Sequence, residues 1–111
     1  VLFRSADKAM EIANRINDKL SIAEVYKIKG IINRYKNNIA AAENSLLTSY
    51  RLNKDLNNQL NLAEVSCELG LLFKLKGEPD KGNRYLEEAL GYFIKIDSKA
   101  DITYLEKLIN T

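Results

Sequence analysis

Side chains that could carry out chemistry are few in this sequence. Histidine is absent, which removes the commonest general base and the commonest zinc ligand. The single cysteine, Cys67, has neither a histidine nor a second cysteine with which to form a catalytic dyad or a metal site. Glu87 and Glu88 are adjacent, and adjacent residues point about 100° apart on a helix, which favours a solvated face over paired catalytic acids. We therefore expect no enzyme activity and no cofactor-binding or metal-binding residues.

Composition and charge narrow the class of protein further. The segment from Lys76 to Gly82 contains two glycines but lacks the spacing and the preceding strand of a phosphate-binding loop. The net charge of +2 is too small to indicate a nucleic-acid partner. No apolar run approaches the length of a membrane span, and residues 1–7 lack the apolar core of a signal peptide. We expect a cytoplasmic protein without a nucleic-acid or membrane partner and, because the chain begins with Val1, a piece of a longer protein.

A forty-residue repeat organises the chain. The stretch Ile22–Val25, followed by Gly30, returns as Leu62–Val65, followed by Gly70. A period of this length is typical of stacked supersecondary units. Because the apolar residues follow three- and four-residue steps, each unit is predicted to be a pair of helices, and the fold class all-α.

The periodicity predicts helices near residues 5–16, 21–36, 39–54, 62–76, 79–95 and 101–110. Turns are expected at Asn37-Asn38 and at Gly77, and a frayed helix end followed by a polar loop over residues 53–61. The apolar stripe predicted for helix 21–36 comprises Ile22, Val25, Ile28, Ile32 and Tyr35. The corresponding stripe of helix 62–76 comprises Leu62, Val65, Leu69, Leu72 and Phe73.

These helices are expected to form a single domain over residues 1–111. It would consist of the second helix of a truncated repeat (1–20), two whole repeats (21–60 and 61–100), and a first helix of a further repeat or a capping helix (101–111). The two end helices would leave apolar residues without a neighbour. These are Met10 and Ile12 at one end and Leu105 and Leu108 at the other.

Small residues recur where the two helices of a pair must approach closely. They are Gly30 and Gly70 in the first helices, Ala42 and Gly82 early in the second helices, and Ala9, Ser49 and Ala89 late in the second helices. Over about residues 5–110 this pattern resembles the tetratricopeptide repeat, in its longer variety with a period of about 40 residues. The resemblance implies an α-solenoid of antiparallel helix pairs that curve into a right-handed superhelix. The first unit departs from the family pattern at three positions. The family has Leu, an aromatic residue and Ala where this chain has Lys29, Asn33 and Ser49, respectively. The packing of the first unit is therefore expected to differ from that of the family. Gly70 and Ala89 are expected to be packing residues.

The resemblance also implies a concave groove lined by the first helices of the pairs. Its inward residues would be Glu24, Lys27, Ile31, Arg34, Glu64, Cys67, Leu71, Lys74, Tyr104 and Lys107. Such a mildly basic and partly apolar surface suits a peptide or helix that carries acidic and apolar groups. Recognition of acidic chaperone tails is not expected, because Ile31, Glu68, Tyr104 and Leu108 stand where that clamp of the family needs polar or cationic donors.

The leading interpretation is a non-catalytic protein–protein interaction scaffold that binds a peptide or helix of a partner in its concave groove. The alternative is a regulatory or sensor segment of a larger bacterial signalling protein, such as a histidine kinase or a transcription regulator. RNA binding is disfavoured, because it needs basic and stacking residues at the same place in each unit, whereas Lys27 aligns with Cys67. Weak self-association through the end helices is compatible with the leading interpretation.

Overall fold

The structure, a computed structural model, describes residues 6–11 and 18–111. Its helices are α1 (residues 6–11), α2 (Lys19–Tyr35), α3 (Ile39–Leu56), α4 (Gln59–Leu75), α5 (Pro79–Lys95) and α6 (Lys99–Ile109). The described part of the chain contains no β-strand, so the all-α prediction is confirmed. The chain divides into two compact units, residues 1–57 and 58–111. In the first unit α2 packs against α3, and in the second α4 packs against α5 and α5 against α6.

The predicted helix boundaries agree with the structure except around one loop. Helix α5 has the predicted bounds, whereas the predicted loop over residues 53–61 is wrong. Helix α3 continues to Leu56, and α4 begins at Gln59. Asn53, which falls within the predicted loop, is a buried residue of α3. The predicted helix over residues 5–16 is described only across 6–11, and the rest of it, including Ile12, lies outside the described residues.

Turns recur every twenty residues, which is half of the forty-residue period seen in the sequence. Left-handed backbone occurs at Asn37 (φ 63°), Asn57 (φ 54°), Gly77 (φ 84°) and Asp97 (φ 56°). Asn, Asp and Gly are the residue types that adopt this conformation most readily. The residue after each of these positions is the N-cap of the next helix. In three of the four turns its amide donates to a carbonyl five residues earlier, as Glu78 N does to Phe73 O at 2.9 Å. Each helix and its turn therefore form one twenty-residue module.

Two equivalent modules begin with side-chain caps of different chemistry. The carboxylate of Asp18 accepts hydrogen bonds from the Ser21 amide at 3.1 Å and the Ser21 hydroxyl at 2.7 Å. Forty residues later the amide oxygen of Asn58 accepts from the Asn61 amide at 3.0 Å. Two hydrogen bonds hold the pKa of the Asp18 carboxyl below its usual value. The bond from the Ser21 hydroxyl has the larger effect, and the bond from the Ser21 amide has the smaller one.

This difference predicts an acid-sensitive start of α2. Because the pKa of Asp18 is lowered in the folded chain, the cap stabilises α2 above the usual carboxyl pKa and is lost as the pH falls below about 4. Asp18→Asn should keep an acceptor for the Ser21 amide and remove this acid dependence. Amide chemical shifts of Ser21 and Asn61, followed by NMR from neutral to acid pH, test it. The Ser21 signal should titrate in the wild type only, and the Asn61 signal in neither protein.

The second unit has an apolar core between its three helices. Its central cluster consists of Ala63, Leu86, Ala89, Phe93 and Leu105, all buried. The predicted stripe of α4 is confirmed, since all five of its residues are buried. Leu105 was expected to lack a neighbour, and this expectation is wrong, because α6 packs against α5 and places Leu105 in the same cluster as Phe93.

The predicted stripe of α2 is only partly correct. Val25 is buried, but Ile28 is 39% exposed and Tyr35 is 78% exposed. The buried face instead carries the small residues Ala23 and Gly30. A β-carbon on Gly30 would collide with Leu46 of α3, so this is the face of α2 that approaches α3 most closely. Ile28 lies two positions before Gly30, about 200° around the helix, and therefore points away from that contact.

Candidate functional site

The ten predicted groove residues divide between the two units, four in the first and six in the second. The first four are spaced along α2 so that they share one face, and the same spacing recurs on α4. Tyr104 and Lys107 lie one turn apart on α6, and both are exposed.

In the first unit, Lys27 and Glu24 form an ion pair and do not present two independent charges. The Lys27 ammonium lies 3.2 Å from the Glu24 carboxylate, and Lys27 is only 9% exposed. Burial of the lysine stem leaves the ammonium beside its partner, one helical turn away. Reversal of the charge at Lys27 would therefore place two carboxylates together in a mostly buried position, and this residue is a poor probe of binding.

Arg34 and Ile31 are two further members of the first set. Both are half-buried, and the guanidinium of Arg34 lies 4.8 Å from the centre of the exposed Tyr35 ring. A guanidinium over an aromatic face is attracted to it. Ile31 adds apolar surface on the same face of α2.

In the second unit, Lys74 connects two helices. Its ammonium donates to the backbone carbonyl of Leu108 at 2.7 Å, near the end of α6. A cation is favourable there because the last carbonyls of a helix carry partial negative charge. Lys74 therefore links α4 to α6 by a hydrogen bond, which is a structural role that the sequence pattern did not indicate.

The remaining residues of the second set differ in accessibility. Cys67 is half-buried and packs against the apolar cluster of this unit, as expected of a small helical residue. Glu64 and Leu71 are half-buried on α4. Tyr104 is 51% exposed, and Lys107 is exposed one turn further along α6. The accessible part of this set is thus an aromatic ring and an ammonium on α6.

Polar residues at core positions of the first unit were recognised only in part from the sequence. The Ser49 hydroxyl, fully buried on α3, donates to the Ala23 carbonyl of α2 at 2.7 Å. The buried side-chain amide of Asn53 donates to the Ser49 carbonyl at 3.0 Å and to its hydroxyl at 3.3 Å. Asn33, also buried, donates to the Lys29 carbonyl at 2.8 Å. The donor groups at these core positions therefore all have hydrogen-bond acceptors.

Repeat alignment was the signal that could have revealed the whole set. Asn33 aligns with Phe73 and Asn53 with Phe93, so two aromatic core residues of the second unit are replaced by amides in the first. Lys29, the other departure, forms an ion pair with Asp7 of α1 at 2.5 Å. We name Ser49 and Asn53 the polar core pair of the first unit.

Neither a cluster of metal ligands nor a membrane-spanning helix is found among the described residues. Across residues 6–11 and 18–111, no group of three or more Cys, Asp or Glu residues could hold a metal ion. The same residues include no helix with the length and apolar character needed to cross a bilayer. In comparisons with known proteins, no protein-family model, curated protein or solved structure matches this chain.

Proposed function

We propose that this chain is a non-catalytic protein-interaction scaffold built from tetratricopeptide-like helix pairs. The observation that carries the proposal is the shared register of the two pairs. Gly30 of α2 faces Leu46 of α3, and forty residues later Gly70 of α4 faces Leu86 of α5. Helix pairs with the same close contact can stack with a constant rotation into a right-handed superhelix, whose first helices line a concave surface.

Accessible groove residues define the partner that we propose. Arg34 and Lys107 supply cationic groups, and Ile31 and Tyr104 supply apolar and aromatic surface. Such a combination favours a peptide or helix of another protein that carries carboxylates next to apolar side chains. Tyrosine and arginine are also the residue types that contribute most often to binding energy at interfaces. Lys27 and Lys74 contribute to this surface through internal contacts. Lys27 forms an ion pair with Glu24, and Lys74 donates a hydrogen bond to the Leu108 carbonyl.

Site-specific photocrosslinking tests this proposal and does not require the identity of the partner. A photoreactive phenylalanine analogue is placed at Tyr104, and in a control protein at Arg84, an exposed residue of α5. We expect a discrete crosslinked protein in a cell extract from the Tyr104 position only. Arg34→Glu with Lys107→Glu should abolish this product, whereas Arg51→Glu with Arg84→Glu should leave it unchanged.

Circular dichroism of each variant separates loss of binding from loss of folding. All four substituted residues are at least partly accessible, so helical content should not change. A crosslinked product from Arg84 and none from Tyr104 would contradict the groove assignment. It would place binding on the second helices of the pairs.

A further inference from the structure

An open cleft between α5 and α6 lies outside the proposed groove. It is lined by Glu87, Leu90, Glu106, Ile109 and Asn110, and none of these is a groove residue. Its volume of about 230 Å³ is smaller than the roughly 300–1,000 Å³ of typical small-molecule sites. The cleft therefore has room for one or two inserted side chains and is open enough to receive them from a neighbouring helix.

The charge of the cleft indicates what those side chains would be. Glu87 and Glu106 are exposed, and no ion pair involves either carboxylate in the part of the chain that the structure describes. By contrast, the neighbouring Glu88 accepts a hydrogen bond from the Tyr92 hydroxyl at 3.3 Å. Half-buried Leu90 and Ile109 supply apolar surface to the same cleft. Two carboxylates beside apolar surface are complementary to a segment in which Lys or Arg flanks apolar residues.

Repeat register indicates that the occupant is a helix. Ile109 and Asn110 stand forty residues after Leu69 and Gly70. On α4, Gly70 is where α5 approaches most closely, with Leu86 and the Gly82 carbonyl against it. The face of α6 that ends at Ile109 and the C-cap Asn110 is thus equivalent to the face of α4 that receives a helix, and no helix in the described residues covers it.

We propose that this cleft docks an amphipathic helix of a partner protein, with an apolar side chain against Leu90 and Ile109 and with Lys or Arg beside Glu87 and Glu106. The interaction is separate from the concave groove and does not depend on it. Such pairing at an accessible surface is weakened by salt, because the charges remain partly solvated.

A designed helical peptide serves as the probe. It has the length of α5, 17 residues, and consists of Ala with a row of Leu flanked by Lys. Titration into the isotopically labelled 111-residue chain should shift the amide signals of residues 87–90 and 106–110 selectively. A second peptide with Glu in place of Lys should not bind. Glu87→Gln with Glu106→Gln should weaken binding of the Lys peptide at least tenfold.

A matched control distinguishes a specific cleft from general attraction to negative charge. Asp55→Asn with Asp80→Asn removes two exposed carboxylates elsewhere and changes the net charge equally. Unchanged affinity in this control supports the proposal, whereas an equal loss overturns it, as do signals shifted across the whole surface. If raising the protein concentration alone shifts the cleft signals, a second copy of this chain is the occupant and the partner-helix assignment is wrong.

Discussion

Replacement of Gly70 by alanine should destabilise the second unit, although alanine is the better helix former. A β-carbon at this position would lie 2.5 Å from Leu86 Cδ2 and 2.9 Å from the Gly82 backbone oxygen. The backbone oxygen cannot rotate away, so α4 and α5 must separate. We expect Gly70→Ala to lower the free energy of unfolding by about 1–3 kcal/mol, and Gly70→Leu by more.

Gly91 provides the matched control for this expectation. It lies on the same helix pair, but a β-carbon there would meet nothing within 4 Å. Gly91→Ala should therefore raise stability by about 0.5–1 kcal/mol, because alanine loses less backbone entropy in a helix. Urea unfolding followed by circular dichroism measures both. Equal effects of the two substitutions would show that α4 and α5 do not cross at Gly70.

Phe93→Asn, which converts a core position of the second unit towards the first, should strongly destabilise the second unit. Phe93 is buried in the cluster with Ala89 and Leu105, whereas its repeat equivalent is Asn53. Loss of the ring should lower the free energy of unfolding by about 3–5 kcal/mol, the range for removal of a buried phenylalanine. A buried amide without a partner adds to this loss. Thermal unfolding followed by circular dichroism should show a clearly lower midpoint.

Two companion variants make the cause of this loss identifiable. Ile94→Asn changes the neighbouring residue, which is 57% exposed, and should alter stability by no more than about 0.5 kcal/mol. Ala89→Ser combined with Phe93→Asn introduces the hydroxyl that Ser49 supplies to Asn53 and should recover about 1 kcal/mol of the loss. If Phe93→Asn behaves like Ile94→Asn, the core of the second unit does not depend on this ring.

The polar core pair also predicts a difference between the two units themselves. Hydrogen bonds of Ser49 and Asn53 satisfy buried donor groups, but each contributes only about 1 kcal/mol net. The ring of Phe93, by contrast, contributes apolar burial and dispersion. At these positions the first unit therefore depends more on directional hydrogen bonds, and the second unit depends more on buried apolar area. The helices of the first unit should open at lower denaturant concentration than those of the second unit.

Local signals in the sequence were sufficient to predict the helical class, the repeat and several packing residues. The start of α5 follows from Pro79, which is accepted in the first turn of a helix, and from Gly77 before it. Gly70 and Ala89 were identified as packing residues because both occupy small positions between large ones, and both are buried. These features depend on the backbone preferences of neighbouring residues and on periodicity, both of which can be read from the order of the residues.

Tertiary contacts decided the features that the order of the residues left open. The sequence showed Ile28 and Tyr35 on an apolar stripe, but the smaller Ala23 and Gly30 face α3 because close approach of two helices needs little volume at the contact. Lys27 was predicted as a groove cation, yet burial of its stem and the carboxylate of Glu24 make it part of an ion pair. Asn53 belongs to α3 because its amide finds a partner on Ser49, one turn earlier on the same buried face. A polar side chain is accepted inside when hydrogen bonds are available to it there, and only the packed structure determines whether they are.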